Sequence, residues 1–135
     1  MWETTHGSDA ARLRALWYPE TNVFILTFAV NDITSYNNIK SLWLPEIRKH
    51  DPKVPVLLLG TKIDLRTSET FQEDEISTQM GEKLATSLRL SKYMECSSMT
   101  STNIDEVIEA AARIGLIHSK AVKLKKEKKF RCSLL

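Results

Sequence analysis

The sequence predicts one α/β domain with an open, mostly parallel sheet and helices on both faces. Segments of strand composition alternate with segments of helical period, in the order β-α-β-α-β-α, and the joins between them are short. Parallel neighbouring strands need a crossover connection, and a helix is the usual one. The size agrees, because 135 residues of which 42% are hydrophobic are enough for a single core.

The same composition excludes several other classes. A net charge of only +2 and the apolar content argue against a disordered chain. Cys96 and Cys132, the two cysteines, cannot form a disulfide framework. The longest apolar stretch, residues 23–30, has eight residues, whereas a membrane-spanning helix needs about 20. Residues 1–5 do not resemble a secretory leader, so we expect a reducing, cytosolic setting.

The first half of the chain contributes one strand and one helix. Residues 22–30 are rich in β-branched and aromatic side chains and predict a strand buried on both faces. The helix that follows, from Asp32 to Lys49, contains Pro45 and is therefore expected to be kinked or weakened there. Thr34 or Ser35 is the expected cap of its first turn.

The second half repeats the alternation. A buried strand at 54–59, a helix at 78–90, a short strand at 92–96 and a last helix from about Thr102 are predicted in that order. Between the strand at 54–59 and the helix at 78–90 lies a polar stretch, residues 67–77, which carries four acidic residues and has no periodic apolar pattern.

Ligands bind open α/β sheets at the carboxyl ends of the strands, so the loops at 31–34, 60–66 and 97–103 are candidates. A carboxylate at Asp64 could accept two hydrogen bonds from a ring with adjacent N–H and NH₂ donors, which guanine has and adenine lacks. The stem of Lys62 could cover a flat ring, and the backbone N–H of Ser98 could reach a ring carbonyl. On chemistry alone, solvated surface residues are the more common explanation.

Two motifs in these loops resemble the base-recognition pair of small GTPases of the Rho/Rac type, within the Ras superfamily. T-K-I-D at 61–64 matches [NT]-K-x-D, and E-C-S-S at 95–98 matches E-C-S-A with Ser98 in place of Ala. W-E-T-T at 2–5 resembles the start of the second switch, and W-L-P-E-I at 43–47 resembles the W-x-P-E-[VI] signature. The resemblance covers nearly the whole chain and implies a P-loop-type G domain.

The resemblance implies GTP or GDP with Mg²⁺ as ligands, and exchange factors, GTPase activators, a dissociation inhibitor and effectors as partners. It implies guanine binding by Thr61, Lys62, Asp64, Ser97 and Ser98. It also implies a remnant phosphate and magnesium switch at Glu3 and Thr4.

The sequence departs from the family pattern at the phosphates. No G-x-x-x-x-G-K-[ST] motif and no first switch occur in the 135 residues. Gly7 replaces the Gln that orients the attacking water, so no catalytic residue and no metal site are assigned. We therefore expect residues 1–117 to be an amino-terminally truncated G domain of marginal stability. Whether it is an enzyme stays open, and the alternative is a non-catalytic, partner-binding or membrane-occupying module without nucleotide cycling.

Residues 118–135 form a basic tail. Their seven basic residues and one acid give +6, which leaves −4 on the other 117 residues. C-S-L-L at 132–135 fits C-a-a-X with terminal Leu, which predicts geranylgeranyl on Cys132. The basic residues expected to contact an anionic membrane are Lys120, Lys123, Lys125, Lys126, Lys128, Lys129 and Arg131.

Two other interpretations of the tail are a solubilising segment and a nucleic-acid-binding arm. Only Phe130 supplies an aromatic ring there, so no nucleic-acid partner is expected. The predicted location is the cytoplasmic face of the plasma membrane or an endomembrane, with a cytosolic pool.

Overall fold

The computed structural model describes residues 10–66 and 75–132, without the side chains of 126–132. Within these ranges the strands are β1 (Phe24–Ala29), β2 (Val56–Thr61) and β3 (Lys92–Glu95). They form a parallel sheet in the order β1-β2-β3. The predicted α/β class is therefore confirmed.

From β1 onward the helices alternate with the strands as predicted, but one further helix, which the predicted order did not include, precedes β1. The helices are α1 (Ala11–Trp17), α2 (Ile33–Asn38), α3 (Leu44–His50), α4 (Thr78–Ser87) and α5 (Ile104–Cys132). A π-helical segment, Ile39–Trp43, joins α2 to α3, and a 3₁₀ turn, Ile63–Leu65, follows β2.

Helices cover both faces of the sheet. On one face a core of Phe28, Val30, Ile39, Leu58, Ile76, Leu84 and Ala85 packs under α2 and α4. On the other face the core is Leu57, Leu59, Cys96 and Val107, the last of these from α5.

The strand positions agree with the prediction, but β1 is less buried than expected. β2 lies in the centre, and Val56 to Gly60 are all buried. In β1 only Phe28 is buried and Thr27 is exposed, so burial on both faces is wrong for this strand. The physical reason is its position at the edge of the described sheet, where the core under α5 reaches Ile25 only as a partly buried neighbour.

The predicted weakening at Pro45 is confirmed. The π-helical segment ends directly before α3, in which Pro45 occupies the first turn. Pro45 has no N–H for the carbonyl of Ser41, and its ring would collide with that carbonyl in a regular α-helix. The wider π turn accommodates the ring and lets the chain continue as a helix.

The predicted cap of the same helix was wrong. Asp32 is the N-cap, and its carboxylate accepts a hydrogen bond from the backbone N–H of Ser35 at 3.0 Å. The Ser35 hydroxyl instead accepts from Ala29 N at 3.0 Å, which joins the helix to the end of β1.

Helix α5 has 29 residues and continues without interruption past residue 117. The backbone thus has no break at the proposed domain boundary, and the division into 1–117 and 118–135 stays a prediction. None of the described helices is long and apolar enough to cross a membrane.

Candidate functional site

The two predicted loops lie side by side at the carboxyl ends of β2 and β3. Cys96 N donates to Gly60 O at 2.9 Å, which continues the sheet to the last residues of both strands. One step further, Ile63 N donates to Cys96 O at 3.4 Å. The T-K-I-D and E-C-S-S segments are therefore joined by backbone hydrogen bonds, although 30 residues of chain separate them.

A side-chain hydrogen bond connects the same loops. The Ser97 hydroxyl donates to the Asp64 carboxylate, and it accepts from Thr100 N at 3.2 Å. Ser97 is fully buried, and two backbone hydrogen bonds with Thr102, of 3.1 and 2.9 Å, fix its position. Asp64 itself is exposed. The result is an exposed carboxylate anchored from below by a buried serine.

The backbone of this site is strained. Lys62 has φ 62° and ψ 37°, in the left-handed region that non-glycine residues seldom adopt. Ser101 and Asn103, in the loop after β3, also have positive φ, at 55° and 59°. Such conformations cost roughly 1–3 kcal/mol each and cluster at ligand sites. Lys62 is exposed, so its side chain is accessible to a ligand.

The remaining two predicted base contacts differ in their placement. The Thr61 hydroxyl donates to Phe28 O at 3.0 Å and so joins β2 to β1. Thr61 therefore positions the start of the loop. Ser98 is exposed next to the buried Ser97, where its backbone is available to a ligand.

An ion pair that the sequence analysis did not identify lies directly beneath the site. Arg66 binds Glu95 through two hydrogen bonds of 2.7 Å, and the Tyr93 hydroxyl donates to Glu95 at 2.6 Å. Burial acts to raise the pKa of Glu95, but the bonds from Arg66 and Tyr93 outweigh it, and the pKa is lowered. Burial, and then the bond to Glu95, raise the pKa of Tyr93.

The same guanidinium also holds the far end of the acidic stretch. Arg66 donates to Ile76 O from Nε at 3.1 Å and from Nη2 at 2.7 Å. Of the predicted stretch, residues 67–74 lie outside the described part of the chain. Arg66 lies two positions after Asp64, and Glu95 is itself the first residue of the E-C-S-S motif, so their closeness to the motifs was the one available signal.

A second ion pair stabilises the opposite end of the fold. Arg14 of α1 makes two hydrogen bonds of 2.8 Å to Glu46 of α3, and the Tyr18 hydroxyl donates to the same carboxylate. The Arg14 guanidinium also lies over the Trp43 ring, 5.1 Å from its centre. The W-L-P-E-I segment thus acts here as the attachment point of α1.

The pKa shifts of this cluster follow from these contacts. The hydrogen bond from Arg14 lowers the pKa of Glu46 despite partial burial. Burial, and then the bond to Glu46, raise the pKa of Tyr18 to about 12. The carboxylate is therefore charged and the phenol neutral over the ordinary pH range.

Several predicted residues cannot be placed. Glu3 and Thr4 lie outside the described residues, and so do the side chains of Cys132 and of Lys126, Lys128, Lys129 and Arg131. Lys120, Lys123 and Lys125 are exposed on α5. Within residues 10–66 and 75–132, no three or more His, Cys, Asp or Glu side chains form a group that could hold a metal ion.

Comparison with known proteins agrees with the resemblance. A family model described as "Ras family" matches residues 1–116. A curated relative, the Rho-related GTP-binding protein RhoV of Bos taurus, is 38% identical over 126 residues. That match covers 87% of this chain and 53% of the relative, so the chain spans about half the length of the relative.

Proposed function

The chain belongs to the Ras family and is a Rho-type member, and from this premise we propose that it functions in Rho-type signalling through recognition of a guanine base. We further propose that a geranylgeranyl group on Cys132 and the basic tail attach it to an anionic membrane. Regulators and effectors of the Rho type are its proposed partners.

The hydrogen bond from Ser97 to Asp64 is the observation that carries the base-recognition proposal. It fixes the carboxylate of one motif with a buried hydroxyl of the other, at the edge of the sheet where ligands bind α/β folds. A fixed carboxylate can accept from N1–H and the 2-amino group of guanine together. Adenine has no donor at N1, so it would leave that carboxylate partly unpaired.

The neighbouring residues complete the proposed base site. The aliphatic stem of exposed Lys62 covers one face of the ring, and the backbone N–H of Ser98 donates to the guanine carbonyl. Ser97 and Thr61 act as positioning residues, because their hydroxyls bond to Asp64 and to Phe28 O respectively.

The residues present fit a guanine base better than they fit the phosphates and magnesium of a nucleotide. The 135 residues contain no phosphate-binding glycine motif, and the described part contains no cluster suited to a metal ion. We therefore propose that tight, magnesium-dependent nucleotide binding is not a property of these residues alone, and we derive no hydrolytic step.

A second candidate function is a partner-binding module that does not cycle nucleotide. The observation that favours it is the surface of α1, where Leu13, Leu16 and Trp17 are each more than half exposed. Large apolar side chains grouped on one short helix are characteristic of interaction surfaces.

Base recognition is testable with ligands that lack phosphate. In amide NMR spectra, guanosine at millimolar concentration should shift the signals of Lys62, Asp64 and Ser98, and adenosine should not. Asp64→Asn should remove the guanosine response, whereas Asp105→Asn, another exposed carboxylate change, should leave it intact. Equal responses to both nucleosides, or none to either, would refute the base site.

The phosphate part has its own measurement. A fluorescent GDP analogue is titrated into the protein in a buffer that contains either Mg²⁺ or EDTA. It should bind weakly, and to the same extent in the two buffers. Tight binding that EDTA weakens would show that these residues hold phosphate and magnesium after all. The second candidate function gains support if neither nucleoside nor nucleotide binds.

A further inference from the structure

Helix α5 presents large aliphatic side chains to solvent in its middle part. Leu116, Ile117 and Leu124 are 61%, 69% and 59% exposed. The side of α5 that packs on the sheet carries Val107, Ala111 and Gly115, all of them buried. At 100° per residue, the three exposed side chains lie on the side of the helix turned away from that packing.

Lysines lie on the same side. Leu116, Lys120 and Leu124 follow at intervals of four and form one stripe, with Ile117 and Lys123 beside it. We call these five residues the outer surface of α5. Both lysines are exposed, and no acidic residue occurs between Glu109 and Glu127, so the surface is positively charged and carries no acid of its own.

We propose that the outer surface of α5 lies on an anionic lipid bilayer, with its leucines and isoleucine in the interface and its lysines at the lipid phosphates. Helices of this kind lie in the plane of the interface. Lysine stems can run along the apolar boundary while the ammonium groups remain at the headgroups. The site needs no spanning helix, and α5 is not apolar enough to be one.

The position of Lys120 favours a bilayer over an apolar groove in a protein. A groove that buried Leu116 and Leu124 would also bury Lys120 between them, and an unpaired buried ammonium is costly. At a membrane the ammonium group of Lys120 can lie at the lipid phosphates, while the apolar side chains beside it are still removed from water. The proposal rests on the membrane contact proposed above for the basic tail, to which Lys120 and Lys123 belong, but not on base recognition or on a lipid at Cys132.

The experiment uses the full chain with Cys132→Ser, so that no lipid contributes. Binding is measured by co-sedimentation with vesicles of phosphatidylcholine alone and of phosphatidylcholine with phosphatidylserine. Leu116→Gln, Ile117→Gln and Leu124→Gln together keep helix propensity and charge but remove the apolar groups. Leu42→Gln, at a position 53% exposed and outside α5, is the matched control.

We expect binding to the anionic vesicles only, reduced about tenfold or more by the triple change and unaffected by the control. Absence of binding to anionic vesicles overturns the proposal. Binding that the triple change leaves intact also overturns it, because the contact would then be electrostatic alone. Binding that Leu42→Gln weakens equally would show an unspecific effect and would count against the proposal as well.

A second measurement keeps the proposal testable if the triple variant does not fold. Leu124→Cys in the Cys132→Ser background is labelled with an environment-sensitive dye, since Cys96 is buried. The dye should become more fluorescent with anionic vesicles and unchanged with neutral ones. The same label at Leu42→Cys should not respond. An unresponsive dye at position 124 overturns the proposal.

Discussion

Arg14 is a charged side chain that the fold buries, with only 3% of its surface exposed, and Glu46 supplies the carboxylate that pairs with it. Replacing Glu46 with Gln removes the carboxylate charge that makes two hydrogen bonds to this buried cation, which should lower the free energy of unfolding by roughly 2 kcal/mol. The matched control is Glu109→Gln, which breaks the exposed pair with Arg113 and should cost under about 0.5 kcal/mol. Urea unfolding at neutral pH measures both.

The same pair predicts a pH dependence. Because Arg14 lowers the pKa of Glu46 below its ordinary value of 4.5, the stabilisation is present above that value and is lost as the pH falls through the lowered pKa. Below about pH 4.5 the parent should therefore lose stability faster than Glu46→Gln, and the two unfolding curves should approach each other. A constant difference between them down to strongly acidic pH would contradict this account.

At the scale of single residues, the sequence predicted the candidate site but not the side chains that support it. Lys62, Asp64, Ser97 and Ser98 were predicted from two motifs, and the structure brings those residues together. The bidentate pair of Arg66 and Glu95 was not predicted. It joins positions 29 apart, and only the register of β2 against β3 brings them into contact. A pattern along one strand does not contain that register.

Helix α4 approaches the sheet closely through a glycine. A Cβ at Gly81 would lie 2.5 Å from Cε1 of Tyr93, a ring also held by its bond to Glu95. Gly81→Ala gains about 1 kcal/mol of helix propensity. Overpacking against a fixed ring costs more, so we expect a net loss of about 1–2 kcal/mol of stability in urea unfolding.

Gly115→Ala is the control for this change, because Gly115 also lies inside a helix. Its new Cβ would meet Val23 at 3.3 Å, a tight contact with one side chain rather than a collision with a ring. Propensity and crowding should nearly cancel there, within about 1 kcal/mol of the parent. If Gly81→Ala proved as stable as Gly115→Ala, the packing of Tyr93 against α4 would be looser than the structure shows.

The helices and strands were predictable where the residues of a single segment determine the structure. The alternating apolar patterns located three strands, and Pro45 predicted the irregularity that became the π-helical segment. The cap was predicted wrongly, because Ser35 bonds to the end of β1 and leaves the capping role to Asp32. The partial exposure of β1 likewise depends on its place in the sheet, which a single segment does not reveal.

For the whole molecule, the charge separates into an acidic body and a basic end. The carboxyl-terminal 18 residues carry +6 and the others −4, and α5 continues from one region into the other. At the proposed anionic membrane, repulsion would keep the acidic body away from the surface while the lysines approach it, so we expect a preferred orientation there. Each basic residue near such a surface contributes roughly 1 kcal/mol, which salt screens.

Lipid attachment is the last expectation for the whole chain. A full-length protein tagged at its amino end should sediment with membranes from eukaryotic cells, and Cys132→Ser should move the larger share to the cytosol. One lipid chain gives only marginal binding, so high salt should also release part of the parent by weakening the attraction between the lysines and the membrane.

Leu135→Ser is the matched control, because it changes the preferred lipid from geranylgeranyl to farnesyl and keeps Cys132. That variant should stay on membranes and become sensitive to a farnesyltransferase inhibitor, to which the parent is indifferent. Equal distribution of the parent and Cys132→Ser would refute the lipid and leave the outer surface of α5 as the membrane contact to be measured by itself.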